Sequence, residues 1–279
     1  MRKTDFKSLF IKSLKNIYDT NECQAIFRLY IEYKLQIPLY QYFADTNQEI
    51  DITPNIQEDL KKLADGKPIQ HLIGETEFYG RSFLTDSRAL IPRRETEELV
   101  YHILHETTLP SAPTIMDFCT GSGIIAITLA KEIAEAKVDA TDLSTDALAL
   151  AQENAKKLEA TVRFVCADLL KTDHLEKKYD LIVSNPPYIP QSEQSHLHPN
   201  VINYEPAMAL FVPDENPILF YEKIAQLAHD SLQNNGYLYL ETHENFHKEI
   251  TKILNGLSFK DIQSRNDWQK KARFVSARK

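Results

Sequence analysis

Hydrophobic residues near the start of the chain recur at the spacing of helices that bury one face. Residues 6–18 have an apolar side chain at every third or fourth position, and the same spacing follows Asn21, which we predict to be an N-cap. A third helix is predicted after Thr53, an N-cap followed by proline at the first helical position, and Gly66 is expected to end it. We therefore predict a small helical bundle over residues 1–74.

The spacing of hydrophobic residues changes to two between residues 75 and 92. This change predicts two short strands that turn at Gly80 and Arg81. The two strands would form a β-hairpin that links the helical bundle to the rest of the chain.

Strands and helices alternate from residue 93 to residue 279. The predicted strands are 114–118, 137–141, 162–166, 179–184 and 237–241, and the predicted helices are 95–105, 123–133, 145–158 and 217–232. Helices of this length between strands indicate right-handed crossovers, and two tail segments, 259–262 and 273–277, are expected to add an antiparallel pair. The pattern predicts an α/β fold with a Rossmann-like, doubly wound, seven-stranded sheet, in which ligands bind at the carboxyl ends of the strands.

The composition excludes several classes of protein. Hydrophobic residues make up 43% and charged residues 26% of the 279 residues, which argues against intrinsic disorder. The 32 basic and 40 acidic residues give a net charge of -8, so no overall field attracts nucleic acid or an anionic membrane surface. No apolar stretch approaches the ~18 residues that span a bilayer, and no apolar segment follows Met1 as in a signal peptide. We therefore expect a cytoplasmic protein without a membrane partner.

Cysteine and histidine residues do not indicate a metal site. Cys23, Cys119 and Cys166 form no CxxC pair, which is consistent with a reducing compartment, and we expect Cys23 and Cys166 to be core residues. His196 and His198 are close in sequence, but they lie in a predicted loop, where we expect them to face solvent or a substrate. No metal is predicted.

A glycine-rich loop follows the predicted strand 114–118. Gly121 and Gly123 allow the backbone to turn tightly and to approach a ligand at the start of a helix. Asp142 ends the next strand, where its carboxylate could accept hydrogen bonds from ribose hydroxyls or could simply cap the following helix. The pattern predicts a cofactor with an adenosine group, and it does not distinguish a nicotinamide dinucleotide from S-adenosylmethionine.

The predicted strand 179–184 leads directly into Asn185, Pro186, Pro187 and Tyr188. The two prolines fix the backbone and remove two N–H donors, so the carbonyl groups are left as acceptors. A planar NH2 group could donate one hydrogen to the Asn185 side chain and the other to the Pro186 carbonyl, while the Tyr188 ring packs on its face. This turn predicts a holder for an amide or an exocyclic amine, with a rigid strand-to-loop turn as the structural alternative.

This turn, in a sheet that begins with a glycine-rich loop, resembles the amino-group branch of the class I S-adenosylmethionine-dependent methyltransferases. A fuller resemblance, over essentially the whole chain, is to the release factor glutamine methyltransferases. It is carried by residues 68–74, 77–80, 90–93, 95–97, 142–144, 167–170, 184–190, 205–206 and 209–210. Cys119 stands where the family has the first glycine of the loop, and Arg94 and Ala207 also depart from the family pattern.

The resemblance implies N5-methylation of the glutamine in the Gly-Gly-Gln loop of peptide chain release factors. The residues that it assigns to S-adenosyl-L-methionine are Cys119, Thr120, Gly121, Ser122, Gly123, Asp142, Leu143, Asp168, Leu169 and Asn185. It assigns Asn185, Pro186 and Tyr188 to catalysis, and Asn185, Pro186, Pro187, Tyr188, Arg93 and Glu205 to the substrate. The helical domain, 1–74, would grip the release factor, 75–92 would be the linking hairpin, and 93–279 would be the methyltransferase domain of a monomer.

Several alternatives stay open at this point. A DNA adenine-N6 or rRNA guanine-N2 methyltransferase would also bind a planar NH2 group, although the acidic composition argues against nucleic acid. A nicotinamide oxidoreductase fits the loop but does not explain the turn at residues 185–188, and a translation-factor adaptor without activity is the third alternative. For Arg93 we expect a surface ion pair with Glu95 or Glu97 in preference to a substrate contact.

Overall fold

The structure is a computed structural model that describes residues 1–45 and 47–279. The α-helices are α1 (Lys3–Leu14), α2 (Thr20–Leu29), α3 (Leu39–Ala44), α4 (Pro54–Ala64), α5 (Ile69–Ile73), α6 (Arg94–Glu106), α7 (Ile124–Glu132), α8 (Thr145–Lys157), α9 (Pro199–Tyr204), α10 (Leu219–Ser231) and α11 (His247–Gly256). The strands are β1 (Glu75–Phe78), β2 (Arg81–Leu84), β3 (Thr114–Phe118), β4 (Lys137–Asp142), β5 (Val162–Cys166), β6 (Tyr179–Ser184), β7 (Ile189–Pro190), β8 (Phe211–Val212), β9 (Leu232–Glu241), β10 (Lys260–Asn266) and β11 (Ala272–Arg278).

These elements form two compact units. The first consists of residues 1–76 with 198–204, and the second consists of residues 77–197 with 205–279. Each unit has its own hydrophobic core. No helix among the described residues has the length and apolar character needed to cross a bilayer.

The first unit is a bundle of helices around aromatic side chains. Phe10 is fully buried, and its ring lies 5.2 Å from that of Phe27 and 5.1 Å from that of Tyr30. The predicted start and end of α4 are confirmed, because Thr53 caps the helix and Gly66 follows it with a φ of +89°. The predicted cap of α2 at Asn21 is wrong.

The N-cap of helix α2 lies two residues before the predicted one, and the helix begins at Thr20. The Asp19 carboxylate accepts hydrogen bonds from the backbone N–H groups of Asn21 (2.7 Å) and Glu22 (2.9 Å), so Asp19 is the N-cap. Helix α2 continues through Tyr30–Lys34 as a π-helical turn, a local feature that hydrophobic spacing does not predict.

Residues 198–204 belong to the helical unit, although they are distant from it in sequence. The His198 ring stacks on Tyr18 with 5.3 Å between ring centroids, and its Nε2 lies 3.0 Å from the Ile17 carbonyl oxygen. The expectation that His198 faces solvent or substrate is therefore wrong. Both of its ring nitrogens have protein partners, since Nδ1 lies 2.8 Å from Oδ1 of Asn200.

The second unit contains a seven-stranded sheet in the order β10–β11–β9–β6–β3–β4–β5. Strands β3, β4, β5, β6 and β9 are parallel, and β11 is antiparallel to both β9 and β10. Successive side chains of β3 belong to two different hydrophobic clusters of this unit, Ile115 to one and Met116 to the other. Both faces of the sheet are buried, as in a doubly wound fold, and the predicted fold class is confirmed.

Most predicted boundaries in this unit agree with the structure. Strands β3, β5 and β6 have the predicted bounds, and β10 with β11 forms the predicted antiparallel pair. Strand β9 begins at Leu232, five residues before its predicted start, and α11 is an additional helix. Cys166 is exposed because β5 is an edge strand, so its prediction as a core residue is wrong, whereas Cys23 is buried as predicted.

The predicted hairpin is present, with its turn one residue earlier than predicted. Strands β1 and β2 pair with each other, and Arg81 is the first residue of β2. The turn residues are Tyr79 and Gly80, with φ values of +49° and +70°. Two consecutive positive φ values are typical of the tight turns that match the twist of paired strands.

Candidate active site

A cavity of about 350 Å³ opens at the carboxyl ends of β3, β4 and β6. Its volume lies in the range of small-molecule sites. Most residues predicted to bind the cofactor line it, and these are Cys119, Thr120, Gly121, Ser122, Asp142, Leu143, Asp168, Leu169 and Asn185. Of the residues predicted for the substrate, Arg93 and Pro187 line it too. The residues of the prediction that do not line it are Gly123, Pro186, Tyr188 and Glu205.

The two glycines of the loop have different surroundings. At Gly121, with a φ of +56°, no described residue other than its two chain neighbours has an atom within 4 Å of the place where a Cβ would be, so the backbone is open to the cavity. At Gly123, with a φ of +83°, a Cβ would lie 2.9 Å from Cδ1 of Ile127 and 3.0 Å from Cβ of Ala151. Gly123 therefore allows α7 and α8 to pack closely, while Gly121 allows a ligand to approach the backbone.

Cys119 adopts a backbone conformation that normally favours glycine. Its φ is +57°, and it occupies the position that the resemblance described above assigns to the first glycine of the loop. Its side chain packs against the core on one face of the sheet, and burial raises the pKa of its thiol far above the ordinary value. The thiol is therefore protonated at neutral pH and acts as a small apolar group.

Asp117, at the end of β3, is a buried carboxyl group beneath the loop. Its Oδ2 accepts hydrogen bonds from the Thr120 hydroxyl (2.6 Å) and the Ala126 backbone N–H (3.2 Å). Its Oδ1 is buried without a hydrogen-bond partner among the described residues. Burial raises its pKa to about 7, against the opposing effect of the two hydrogen bonds.

Asp142 lies at the end of β4, beside the glycine-rich loop. Its Oδ2 accepts a hydrogen bond from the Gly121 backbone N–H (2.8 Å), and its Oδ1 accepts one from the Ser144 N–H (2.9 Å). The N-cap of α8 is Ser144, whose hydroxyl accepts from the Ala147 N–H, so the alternative that Asp142 caps this helix is wrong. Burial raises the pKa of Asp142.

The far wall of the cavity is largely apolar. Leu169 is buried, whereas Leu143 has a side chain that is 53% exposed beside the cavity. Asp168 is directed to Lys171 by an ion pair of 2.9 Å, which lowers the pKa of its carboxyl group. Its Oδ1 accepts a hydrogen bond from the Leu170 N–H and so caps a short 3-10 turn.

The Asn-Pro-Pro-Tyr turn follows β6 and contributes Asn185 to the cavity. The Asn185 Nδ2 donates a hydrogen bond to the Thr96 hydroxyl oxygen (3.2 Å), and the Thr96 hydroxyl donates to Oε2 of Glu241 (2.7 Å). The Tyr188 hydroxyl donates to Oε1 of the same carboxylate (3.3 Å). Thr96 and Glu241 are functional candidates that sequence reasoning missed, although Glu241 ends a parallel strand, which is a signal that could have found it.

Glu241 is almost completely buried beside this turn, with 1% of its surface exposed. Burial raises its pKa to about 7, while the Thr96 hydroxyl and the Arg273 guanidinium favour the charged form. Burial, together with the nearby Glu241, raises the pKa of Tyr188 well above its usual range. The Tyr188 hydroxyl is therefore a hydrogen-bond donor near neutral pH.

Arg93 has a different partner from the one predicted. Its guanidinium lies 2.5 Å from Oε1 of Glu205, whose side chain is 1% exposed, and Oε2 of Glu205 accepts the Ile91 N–H at 3.0 Å. The expected surface pair with Glu95 or Glu97 is therefore wrong. A buried carboxylate attracts a guanidinium more strongly than an exposed one, because water screens it less.

The residues that line the cavity fit an adenosine ligand with a charged tail. The Asp142 carboxylate, at the end of β4, suits the two adjacent hydroxyls of a ribose, and the apolar wall suits the flat adenine ring. The open backbone at Gly121 and the start of α7 suit a polar end group. Among residues 1–45 and 47–279, no group of three or more His, Cys, Asp or Glu side chains could hold a metal ion.

Known proteins resemble this chain in sequence and in fold. Residues 96–205 match the family described as methyltransferase small domain. The chain is 39% identical to a release factor glutamine methyltransferase of Flavobacterium psychrophilum, over 94% of both chains. It is 36% identical to one of Bacteroides thetaiotaomicron, over 95% of this chain and 96% of that protein.

A solved methyltransferase from Pyrococcus furiosus shares the fold, with a TM-score of 0.53 and 17% identity over 72% of this chain and 89% of that one. Identity of this extent to the two bacterial relatives, over nearly the full length, establishes the family. The chain belongs to the release factor glutamine methyltransferase family.

Proposed function

We propose that this chain transfers a methyl group from S-adenosyl-L-methionine to the side-chain amide nitrogen (N5) of the glutamine in the Gly-Gly-Gln motif of peptide chain release factors. The observation that carries the proposal is the Asn-Pro-Pro-Tyr turn, whose Asn185 faces the same cavity as the glycine-rich loop. The relatives named above support the same activity. A nicotinamide oxidoreductase gives no account of this turn.

Three groups of residues in the cavity would hold the ribose, the adenine and the methionine end of the cofactor. Asp142 would accept hydrogen bonds from the ribose hydroxyls, and Leu143 with Leu169 would flank the adenine ring, beside Asp168. The loop residues Cys119, Thr120, Gly121, Ser122 and Gly123 would surround the methionine end. Bound S-adenosyl-L-methionine would supply the methyl group from its sulfonium, which needs no acid because it leaves as a neutral thioether. The methylated nitrogen would release one N–H proton to solvent.

The acceptor amide is a weak nucleophile because its nitrogen lone pair is delocalised into the carbonyl. Asn185 Oδ1 and the Pro186 carbonyl would accept the two N–H hydrogens and orient the lone pair toward the methyl group. Both acceptors gain strength as positive charge develops on the nitrogen, so they stabilise the transition state more than the ground state. Pro187 fixes the turn, and Tyr188 supports it through Glu241.

The remaining assignments concern the protein substrate. Arg93, which lines the cavity, would contact the release factor near the acceptor loop, and the predicted substrate residue Glu205, which is buried, would act by holding Arg93 in place. The helical domain, residues 1–74, would bind the body of the release factor, with 75–92 as the linking hairpin and 93–279 as the methyltransferase domain. We propose that the enzyme acts as a cytoplasmic monomer without a nucleic-acid or membrane partner.

The test uses the full chain, a purified release factor and labelled S-adenosyl-L-methionine. We expect label in the release factor and a mass gain of one methyl group on the Gly-Gly-Gln peptide. Asn185→Ala should abolish methyl transfer and retain most of the cofactor binding, whereas the control Asn255→Ala, on the exposed face of α11, should change neither methyl transfer nor cofactor binding. Label in nucleic acid in place of the release factor would overturn the proposal, and unchanged turnover of Asn185→Ala would refute the role of that side chain.

A further inference from the structure

The orientation of the Asn185 amide depends on two residues that do not belong to the Asn-Pro-Pro-Tyr turn. Asn185 Nδ2 donates to Thr96 Oγ, 3.2 Å away, and the Thr96 hydroxyl donates to Glu241 Oε2, 2.7 Å away. We propose that Glu241, acting through Thr96, sets which end of the Asn185 amide faces the acceptor, so that both are positioning residues for methyl transfer. This inference rests on the proposed function.

The direction of each hydrogen bond follows from the chemistry of the groups. Above its pKa of about 7 the Glu241 carboxylate is ionised and only accepts, so the single proton of the Thr96 hydroxyl goes to Glu241. The Thr96 oxygen then has only lone pairs to offer, and it must accept from the Asn185 side chain. The NH2 end of the amide meets this need, and the carbonyl end is thereby directed away from Thr96.

The flipped amide would be disfavoured at this position. It would place the Asn185 Oδ1 against the Thr96 oxygen, with no proton between two acceptors in a partly buried setting. It would also turn the Asn185 NH2 group toward the glutamine NH2 group that receives the methyl. Two hydrogen-bond donors would then face each other. The chain of hydrogen bonds therefore selects the only amide orientation in which Asn185 can accept from an incoming NH2 group.

The carboxylate is held so that both of its oxygens accept from this region. The Tyr188 hydroxyl donates to Oε1 at 3.3 Å, while Thr96 donates to Oε2. A glutamine at position 241 has nearly the same shape but only one acceptor oxygen for these two donors. It would therefore reverse at least one of the two hydrogen bonds without creating a cavity.

Thr96 can be tested with variants of similar size. Thr96→Val removes the hydroxyl and keeps the volume, while Thr96→Ser keeps the hydroxyl. The matched control is Thr128→Val, because Thr128 is a fully buried threonine on α7 whose hydroxyl has no hydrogen-bond partner among the described residues and which does not line the cavity. The Glu241→Gln variant tests the carboxylate with almost no change in volume.

The measurements are kcat for methylation of the release factor and the dissociation constant of S-adenosyl-L-homocysteine, both at about pH 8, where Glu241 is ionised. We expect Thr96→Val and Glu241→Gln to lower kcat about tenfold or more, with unchanged affinity for the cofactor product. Thr96→Ser should restore most of the rate, and Thr128→Val should match the unsubstituted enzyme. The side-chain NH2 resonances of Asn185 should also shift in Thr96→Val, a readout that does not depend on turnover.

The outcomes separate this inference from the proposed function. If the unsubstituted enzyme does not methylate the release factor, the proposed function fails, whereas the Asn185 resonances still test the hydrogen-bond chain. If it does, then an unchanged kcat in Thr96→Val, or equal losses in the valine and serine variants, would overturn the positioning role. Should Thr96→Val fail to fold, Glu241→Gln decides by the same criteria, and unchanged kcat in that variant would overturn the role of Glu241.

Discussion

The buried carboxyl group of Asp117 makes a quantitative prediction about stability and pH. Its pKa is raised from an ordinary value of 3.8 to about 7, mainly by burial, with a smaller contribution from the nearby Asp142. Hydrogen bonds from Thr120 and Ala126 oppose the increase. The perturbation is Asp117→Asn, which keeps the shape of the side chain and removes its titration.

The sign follows from the proton affinity of the two states. The unfolded chain releases the Asp117 proton near pH 3.8, whereas the folded protein retains it until about pH 7. The folded state is therefore favoured at low pH, and the free energy of unfolding falls as the pH rises through this window and then levels off. A difference of about 3 pKa units corresponds to about 4 kcal/mol in total.

Part of this loss can be measured in a practical pH range. Between about pH 5 and pH 8 the unsubstituted protein should lose about 3 kcal/mol through Asp117, because the titration of the unfolded chain is already complete at the lower value. Asp117→Asn lacks this loss, so its stability relative to the unsubstituted protein should rise by the same amount over that range. Any constant cost of the asparagine cancels in the comparison.

Urea unfolding at the two pH values is the appropriate assay. The single tryptophan, Trp268, lies in the same unit as Asp117, so its fluorescence reports the unfolding of that unit, and circular dichroism follows the helices. Glu241 titrates in both proteins and cancels. The control is Asp146→Asn at an exposed position of α8. A relative stability that is the same at both pH values would refute the argument that burial holds the Asp117 proton.

Three further predictions concern packing and buried polar groups. Asn154→Ala should lower the free energy of unfolding by about 3 kcal/mol in urea titrations, because the buried side chain bonds three backbone groups, and a loss under about 1 kcal/mol would contradict this. Gly123→Ala should lower the melting temperature and reduce the free energy of unfolding by at least about 2 kcal/mol, because the φ of Gly123 is +83° and a Cβ would lie 2.9 Å from Ile127. An unchanged melting curve would contradict this packing argument. Arg93→Ala should lower the free energy of unfolding in urea titrations by about 3 kcal/mol, because the buried carboxylate of Glu205 would lose its cation. Arg93→Lys keeps a cation and should lower it less, and equal losses in the two variants would argue against this ion pair.

Local signals in the sequence are sufficient to predict the strands of the sheet and most of the predicted cofactor residues that line the cavity. Strands β3 and β6 have their predicted bounds, and both lead into turns that contribute to the cavity. Period, turn residues and capping residues act within a few positions of the chain, so they can be read without the fold. The roles of Gly121 and Asn185 were predicted in this way and await the experiments above.

Partners that are distant in sequence could be decided only by the tertiary structure. Arg93 pairs with Glu205, 112 positions away, and not with its neighbours Glu95 and Glu97. Thr96 meets Glu241 across 145 positions, so the hydrogen-bond chain to the Asn185 amide has no local signature. The strength of these contacts comes from burial, and burial depends on which strands and loops the fold brings together.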